Sequence, residues 1–216
     1  MPETTSLPLQ VTTFPLGPLE TNCYLAEANG EALAVDPGGE PSELLAYLES
    51  SGCQLTRILI THMHFDHLYG AAALARATGA PILCPAGDEF LMQSEIGRGG
   101  LMGFPLVEDF DYEHIAEGIY EFMGCECRVL ATPGHTPGSL SYYFPAGKCV
   151  FVGDLLFYRS IGRTDFPGGD MEQLLDSVRT KIFTLPPETV VYAGHMLSTT
   201  VGDEMLHNPF LSEGGL

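Results

Sequence analysis

Short apolar runs, each closed by a turn and then by a polar residue, recur along this chain. Alternation over residues 9–14 and 23–28 predicts two early strands around a 15–21 turn, and 32–35 predicts a third. Asn29-Gly30 tolerates positive φ and suits a tight hairpin between the last two. Leu44, Leu45 and Leu48 share one face of a helix that starts at Pro41-Ser42 and ends near Ser51. A β-branched run at 57–61 predicts a strand. Residues 68–78, rich in Ala and Leu, predict a helix stopped by Gly79. A short strand at 81–84 and a helical segment at 87–94 follow. The glycine-marked stretch 97–105 predicts a loop, either a plain surface connection or the rim of an active site.

The second half repeats this grammar. Residues 119–131 read as strand followed by strand, and 139–144 with 149–152 form a hairpin-like pair across Pro145-Ala146-Gly147. Asp170 suits the N-cap of a helix to Phe183 that aligns Leu174, Leu175, Val178 and Ile182. The last strand is 190–192, and Thr199 or Thr200 caps a closing helix through His207. Two strand-rich halves, each followed by helices, predict an α/β or α+β chain with two sheets face to face, organised as one domain over 1–216.

Four of these runs end in side chains that bind metals. Ile58-Leu59-Ile60-Thr61 leads into His62-Met63-His64-Phe65-Asp66-His67. Residues 127–131 lead to Thr132-Pro133-Gly134-His135, 149–153 to Asp154, and 190–194 to His195. Carboxyl ends of strands are where open sheets place their chemistry. Spaced two apart, His62 and His64 share a face and can chelate one ion with His135. A tight turn can aim Asp66 and His67 at a second ion beside His195, and the two oxygens of Asp154 suit a bridge. Imidazole and carboxylate together suit a borderline divalent cation. Any one of these histidines alone is more often an ordinary polar or core residue, and Asp66 and Asp154 alone read as turn caps; the set of seven argues for metal.

Thr21-Asn22-Cys23-Tyr24, Asp36-Pro37-Gly38, the histidine cluster, Pro133-Gly134-His135, Gly153-Asp154, the Gly162 to Asp170 stretch and Gly194-His195 extend over nearly the whole chain. Together they resemble the metallo-β-lactamase superfamily, in its short hydroxyacylglutathione-hydrolase-like (glyoxalase II-like) branch. That resemblance implies a four-layer αββα sandwich. It implies one metal site of His62, His64 and His135, another of Asp66, His67 and His195, Asp154 between them, and Asp66 and Asp154 as catalytic carboxylates. The implied activity is hydrolysis of a small-molecule acyl thioester, of glutathione or a related thiol, by a hydroxide bridging two divalent ions. Zinc is the expected metal, with iron or manganese compatible with the same donors.

Departures from the long hydroxyacylglutathione hydrolases bear on the substrate. The chain stops soon after Asn208-Pro209-Phe210, without the helical extension that helps those enzymes bind glutathione; Met63 stands where they often carry another histidine; and Met196-Leu197 replaces the usual Gly-Pro. The Gly162-Arg163-Thr164-Asp165-Phe166 stretch also resembles persulfide dioxygenases, in which His62, His135 and Asp154 would hold one iron. A lactonase, a phosphodiesterase and a noncatalytic metal-binding protein complete the alternatives. Arg163 and Asp165 read as a charge pair supporting the site. Tyr158 and Arg159 either face the cleft or lie on the surface, and Asn22 either borders the cleft or caps local backbone.

Composition narrows the partners. Nine basic residues against 28 acidic ones give a formal charge of −19, which argues against nucleic acid. The acidic stretch from Glu108 to Glu126 reads as a solvated face. Six dispersed cysteines read as buried thiols, and Cys125-x-Cys127 lacks the second pair of a zinc knuckle. No basic, apolar leader opens the chain and no apolar stretch approaches about 18 residues, so the expectation is a cytoplasmic protein without membrane contact. A homodimer is expected only on general grounds.

Overall fold

The computed structural model describes residues 9–100 and 102–211. Its first half forms β1 (Gln10–Leu16), β2 (Thr21–Ala28), β3 (Glu31–Val35), α1 (Ser42–Ser51), β4 (Gln54–Leu59), α2 (Phe65–Leu68), α3 (Ala71–Thr78), β5 (Ile82–Pro85), α4 (Glu95–Arg98) and β6 (Glu113–Ile115). The second half forms β7 (Gly118–Phe122), β8 (Cys125–Ala131), β9 (Leu140–Phe144), β10 (Cys149–Gly153), β11 (Leu156–Phe157), β12 (Ser160–Ile161), α5 (Met171–Ser177), β13 (Val190–Ala193), β14 (Thr199–Thr200) and α6 (Val201–His207). One sheet has the order β1-β2-β3-β4-β5-β6 and the other β14-β13-β10-β9-β8-β7.

Alternation along the strands separates the layers. In β2, Cys23 and Leu25 point to the core under α1 and α3, while Tyr24 and Ala26 point to the core between the sheets. β3 divides in the same way, Ala32 and Ala34 outward, Leu33 and Val35 inward. In β10, Phe151 faces the central core, and Val150 and Val152 face a third core closed by Leu174 and Val178. Three cores between four layers make the αββα sandwich that the resemblance implied. Each fully buried Leu, Val or Phe stabilises it by about 1.5–3 kcal/mol.

Two predicted elements are displaced for reasons that bear on the site. The 57–61 strand ends at Leu59, so His62 stands on a turn beyond β4. The predicted 68–78 helix starts only at Ala71, as α3; Leu68 instead closes a separate short helix, α2, and Tyr69-Gly70 divides the two. Gly70 N donates to Pro37 O at 2.7 Å, and a Cβ there would strike the Gly39 carbonyl. That contact fixes the helix break and leaves Asp66 and His67 on their own helical turn. Among the described residues, no helix is long and apolar enough to cross a membrane.

Candidate metal centre

β4 runs parallel to β3 and β5, and β10 runs parallel to β13. β8 shares the direction of β10 because both are antiparallel to β9. The donor-bearing turns after β4, β8, β10 and β13 therefore meet at one rim of the sandwich. The structure brings all seven expected donors together there. Ligand atoms of His62, His64 and His135 lie within 4.8 Å of one another, as do those of His62, His67 and Asp154, and those of Asp66, His67 and His195. Shared His62 and His67 make the three groups one continuous cluster.

Two glycines make the approach feasible. Gly153 has φ 53°, and a Cβ on it would collide with the side chain of Thr61. A Cβ on Gly194 would collide with the Asp154 carboxylate. Glycine just before Asp154 and just before His195 is thus a steric requirement.

Hydrogen bonds outside the cluster orient the rings. Asp36 Oδ1 accepts from Thr61 N at 2.8 Å and Oδ2 accepts from Thr61 Oγ1 at 2.6 Å. Having donated its own proton, Thr61 Oγ1 is left to accept from His62 Nδ1 at 3.0 Å. His67 Nδ1 donates to Asp36 Oδ2 at 2.9 Å, and His135 Nδ1 donates to Arg163 O at 2.7 Å. The Nδ1 proton of each ring is assigned by its partner, which turns Nε2 of all three toward the other donors. Nε2 of His62, His64 and His67 and Oδ1 of Asp154 are buried and have no hydrogen-bond partner. Leaving such atoms bare costs about 1–3 kcal/mol each. Convergent, preoriented, unsatisfied nitrogen and oxygen donors fit divalent cations of the zinc or iron type.

Electrostatics make the same demand. Burial and the neighbouring imidazoles push His62 well below its ordinary pKa, and burial beside His135 lowers His64 to about 3. Burial also opposes charge on His67, but the carboxylates of Asp66, Asp36 and Asp154 outweigh it and hold a proton there. For Asp154, burial favours the neutral acid, and His67 reverses that, keeping the carboxylate ionised. These carboxylates favour positive charge among the donors, which a bound metal would supply with release of protons.

Several supports were not evident from spacing. Asp36 ends an apolar run in the same way as the donors do, a usable signal. Asp88, fully buried, accepts from Met63 N at 3.1 Å, Thr136 Oγ1 at 2.7 Å and Gly138 N at 2.7 Å, so it ties the early histidine turn to the Pro-Gly-His turn. Nothing in the sequence around it marks that role. Asn22 donates from Nδ2 to Ala193 O at 3.1 Å and Met196 O at 2.9 Å, clamping the His195 turn. Arg163 pairs with Asp165 at 2.7 Å as expected, yet it supports the cluster through its backbone carbonyl. Arg159 does not serve the cleft: it bonds Asp203 and Glu204, each at 2.9 Å, and stacks over Tyr158. Met63 is fully buried in the outer core, and five of the six free cysteines are buried.

A cavity of about 590 Å³ opens above the cluster, with His64, Asp66, His135, Asp154 and His195 on its floor. The family model of the metallo-beta-lactamase superfamily matches residues 16–195. Hydroxyacylglutathione hydrolase GloC of Haemophilus influenzae is 36% identical over 209 residues, covering 94% of this chain and 99% of that protein. The crystal structure of BLEG-1 B3 metallo-beta-lactamase superposes with a TM-score of 0.89 at 37% identity, over 94% of this chain and all of that one. TTHA1623 in a di-iron-bound form gives a TM-score of 0.84 at 37% identity, over 93% of this chain and all of that one. With its donors gathered at the rim of an αββα sandwich, the chain belongs to the metallo-beta-lactamase superfamily, as a metal-dependent hydrolase with a dinuclear site.

Proposed function

We propose that the chain hydrolyses small-molecule acyl thioesters of the glutathione type, with His62, His64, Asp66, His67, His135, Asp154 and His195 as metal ligands. The reading is carried by one observation: unsatisfied, preoriented donors converge on the floor of an accessible cavity. The 36% identity to a protein named hydroxyacylglutathione hydrolase supports the choice of thioester. Two bound divalent ions supply a water that is nucleophilic at neutral pH and a Lewis acid for the substrate carbonyl. Zinc, iron and manganese all suit the donors, and the di-iron form of TTHA1623 supports iron as an occupant.

The protein's own groups set the geometry. Asp154 lies between the donor groups, with Oδ2 3.6 Å from His135 Nε2 and 3.7 Å from His195 Nε2. Asp66 Oδ2 faces His195 Nε2 at 3.2 Å and accepts from Thr21 Oγ1 at 3.1 Å, so its carboxylate is fixed before substrate arrives. We assign Asp66 and Asp154 as the catalytic carboxylates. In the reaction, a water oxygen bonds to the acyl carbon, the C–S bond breaks, and carboxylate, thiol and a proton leave. A thiol of pKa about 8.5 departs readily as thiolate, so no dedicated acid is required. The test is thiol release from S-lactoylglutathione by metal-loaded protein. His62→Ala and Asp154→Ala should each lower kcat/KM by at least about 100-fold. Absence of thiol release from fully loaded wild-type protein would refute the assignment.

A further inference from the structure

The cavity walls differ sharply in chemistry from the floor. Phe65, Ile96 and Phe104 line the cavity together with Phe157, Ile161 and Phe166. The rings of Phe65 and Phe104 meet at 5.1 Å. Phe157 comes within 6.3 Å of the His195 ring and Phe166 within 5.7 Å of the His64 ring, measured between centroids, so carbon surface reaches down to the donors. Apart from the donors on the floor, Ser160 is the only uncharged polar side chain among the described lining residues and Arg163 the only Lys or Arg. Arg163 is already engaged: Nε and Nη2 each donate to Asp165 at 2.7 Å, and the guanidinium lies 3.8 Å from the Phe166 ring centroid.

From this we infer that the cleft selects its substrate by the apolar length of the acyl group and holds the charged thiol carrier at its mouth. The inference rests on the thioester reading above. A glutathione-type carrier bears two carboxylates and one ammonium, and these walls offer no uncommitted Lys or Arg to either carboxylate. The protein's net charge of −19 adds repulsion. An acyl chain, by contrast, meets carbon on both sides, and each buried methylene should strengthen its hold by about fourfold. The aromatic rings nearest the donors would set this preference, acting on how the acyl group is held rather than on the bond that breaks.

Two series of ligands sharing one carrier test the inference. Acetyl-, butyryl-, hexanoyl- and lactoylglutathione report hydrolysis by the metal-loaded protein. S-methyl-, S-butyl- and S-hexylglutathione, thioethers that cannot be hydrolysed, report binding by calorimetry with and without metal. Both kcat/KM and affinity should rise about fourfold per methylene, and Phe104→Ser and Phe157→Ser should each flatten both slopes. Flat or falling slopes in both series, or lactoylglutathione outpacing hexanoylglutathione, would overturn the inference. If no thioester is cleaved but thioether affinity still climbs with length, the thioesterase reading falls and the selectivity of the cleft stands.

Discussion

Asp36 has no place in the donor cluster, yet two of its rings depend on it. It accepts directly from His67 and, through the committed hydroxyl of Thr61, dictates which nitrogen of His62 carries the proton. Asp36→Asn substitutes an amide that cannot accept at both positions. Metal affinity should fall about 10- to 100-fold while the far-UV circular dichroism stays as it was. Calorimetric titration with zinc measures this, and unchanged affinity would show that the rings are oriented by other means. Gly153 carries a different constraint, since positive φ and the proximity of Thr61 both exclude a Cβ. Gly153→Ala should destabilise the fold by about 1–3 kcal/mol in urea denaturation. At this scale the sequence displayed its donors clearly, because His135, Asp154 and His195 each terminate an apolar run. Asp88 stayed hidden, because a carboxylate on a short helical turn looks the same whether it is solvated or buried.

Elements with long, regular patterns were legible for the same reason. The alternation of β2 and β3, the apolar face of α1 and the capped start of α5 at Asp170 all follow from local spacing, and Asp170 does accept from Gln173 N. Short pairings were not: β6, β11, β12 and β14 have two or three residues each, too few for a period. The division between α2 and α3 was equally invisible, since helix propensity continues through Tyr69-Gly70 and only a contact with Pro37 and Gly39 interrupts it. The 3-10 segment Ala86–Gln93 shows what a modest element can do. Through Asp88 it joins the turn after β4 to the turn after β8, and with them His62 and His64 to His135. Asp88→Ala removes the acceptor of the buried Met63 N–H and of the half-buried Gly138 N–H, so stability should fall by about 2 kcal/mol or more. Activity should fall with it, and Asp88→Asn, which retains an acceptor, should recover part of both. Equal losses in the two variants, measured by denaturation and turnover, would argue against hydrogen bonding as the link.

Over the whole molecule, the three hydrophobic cores close without passing through the donor cluster. Metal should therefore bind a sandwich that is already folded rather than create it. The cluster still concentrates unsatisfied acceptors and the carboxylates of Asp66 and Asp154 at one rim, so occupancy has a stabilising role. Free metal at 100 times its Kd stabilises the native state by about 2.7 kcal/mol, which for a chain of this size raises Tm by roughly 5–10 °C. Chelation should reverse that shift and abolish turnover while leaving the far-UV spectrum in place. A spectrum that collapses on chelation would mean that the centre holds the layers together. The amount of metal separates the remaining chemistries, because the shared donors can be used as two sites or as one. Two ions per chain after anaerobic purification, with thiol release and no oxygen uptake, is the outcome expected of a dinuclear thioesterase. One iron per chain, with oxygen consumed when glutathione persulfide is added, would instead assign His62, His135 and Asp154 to a mononuclear dioxygenase and leave the other donors as its surroundings.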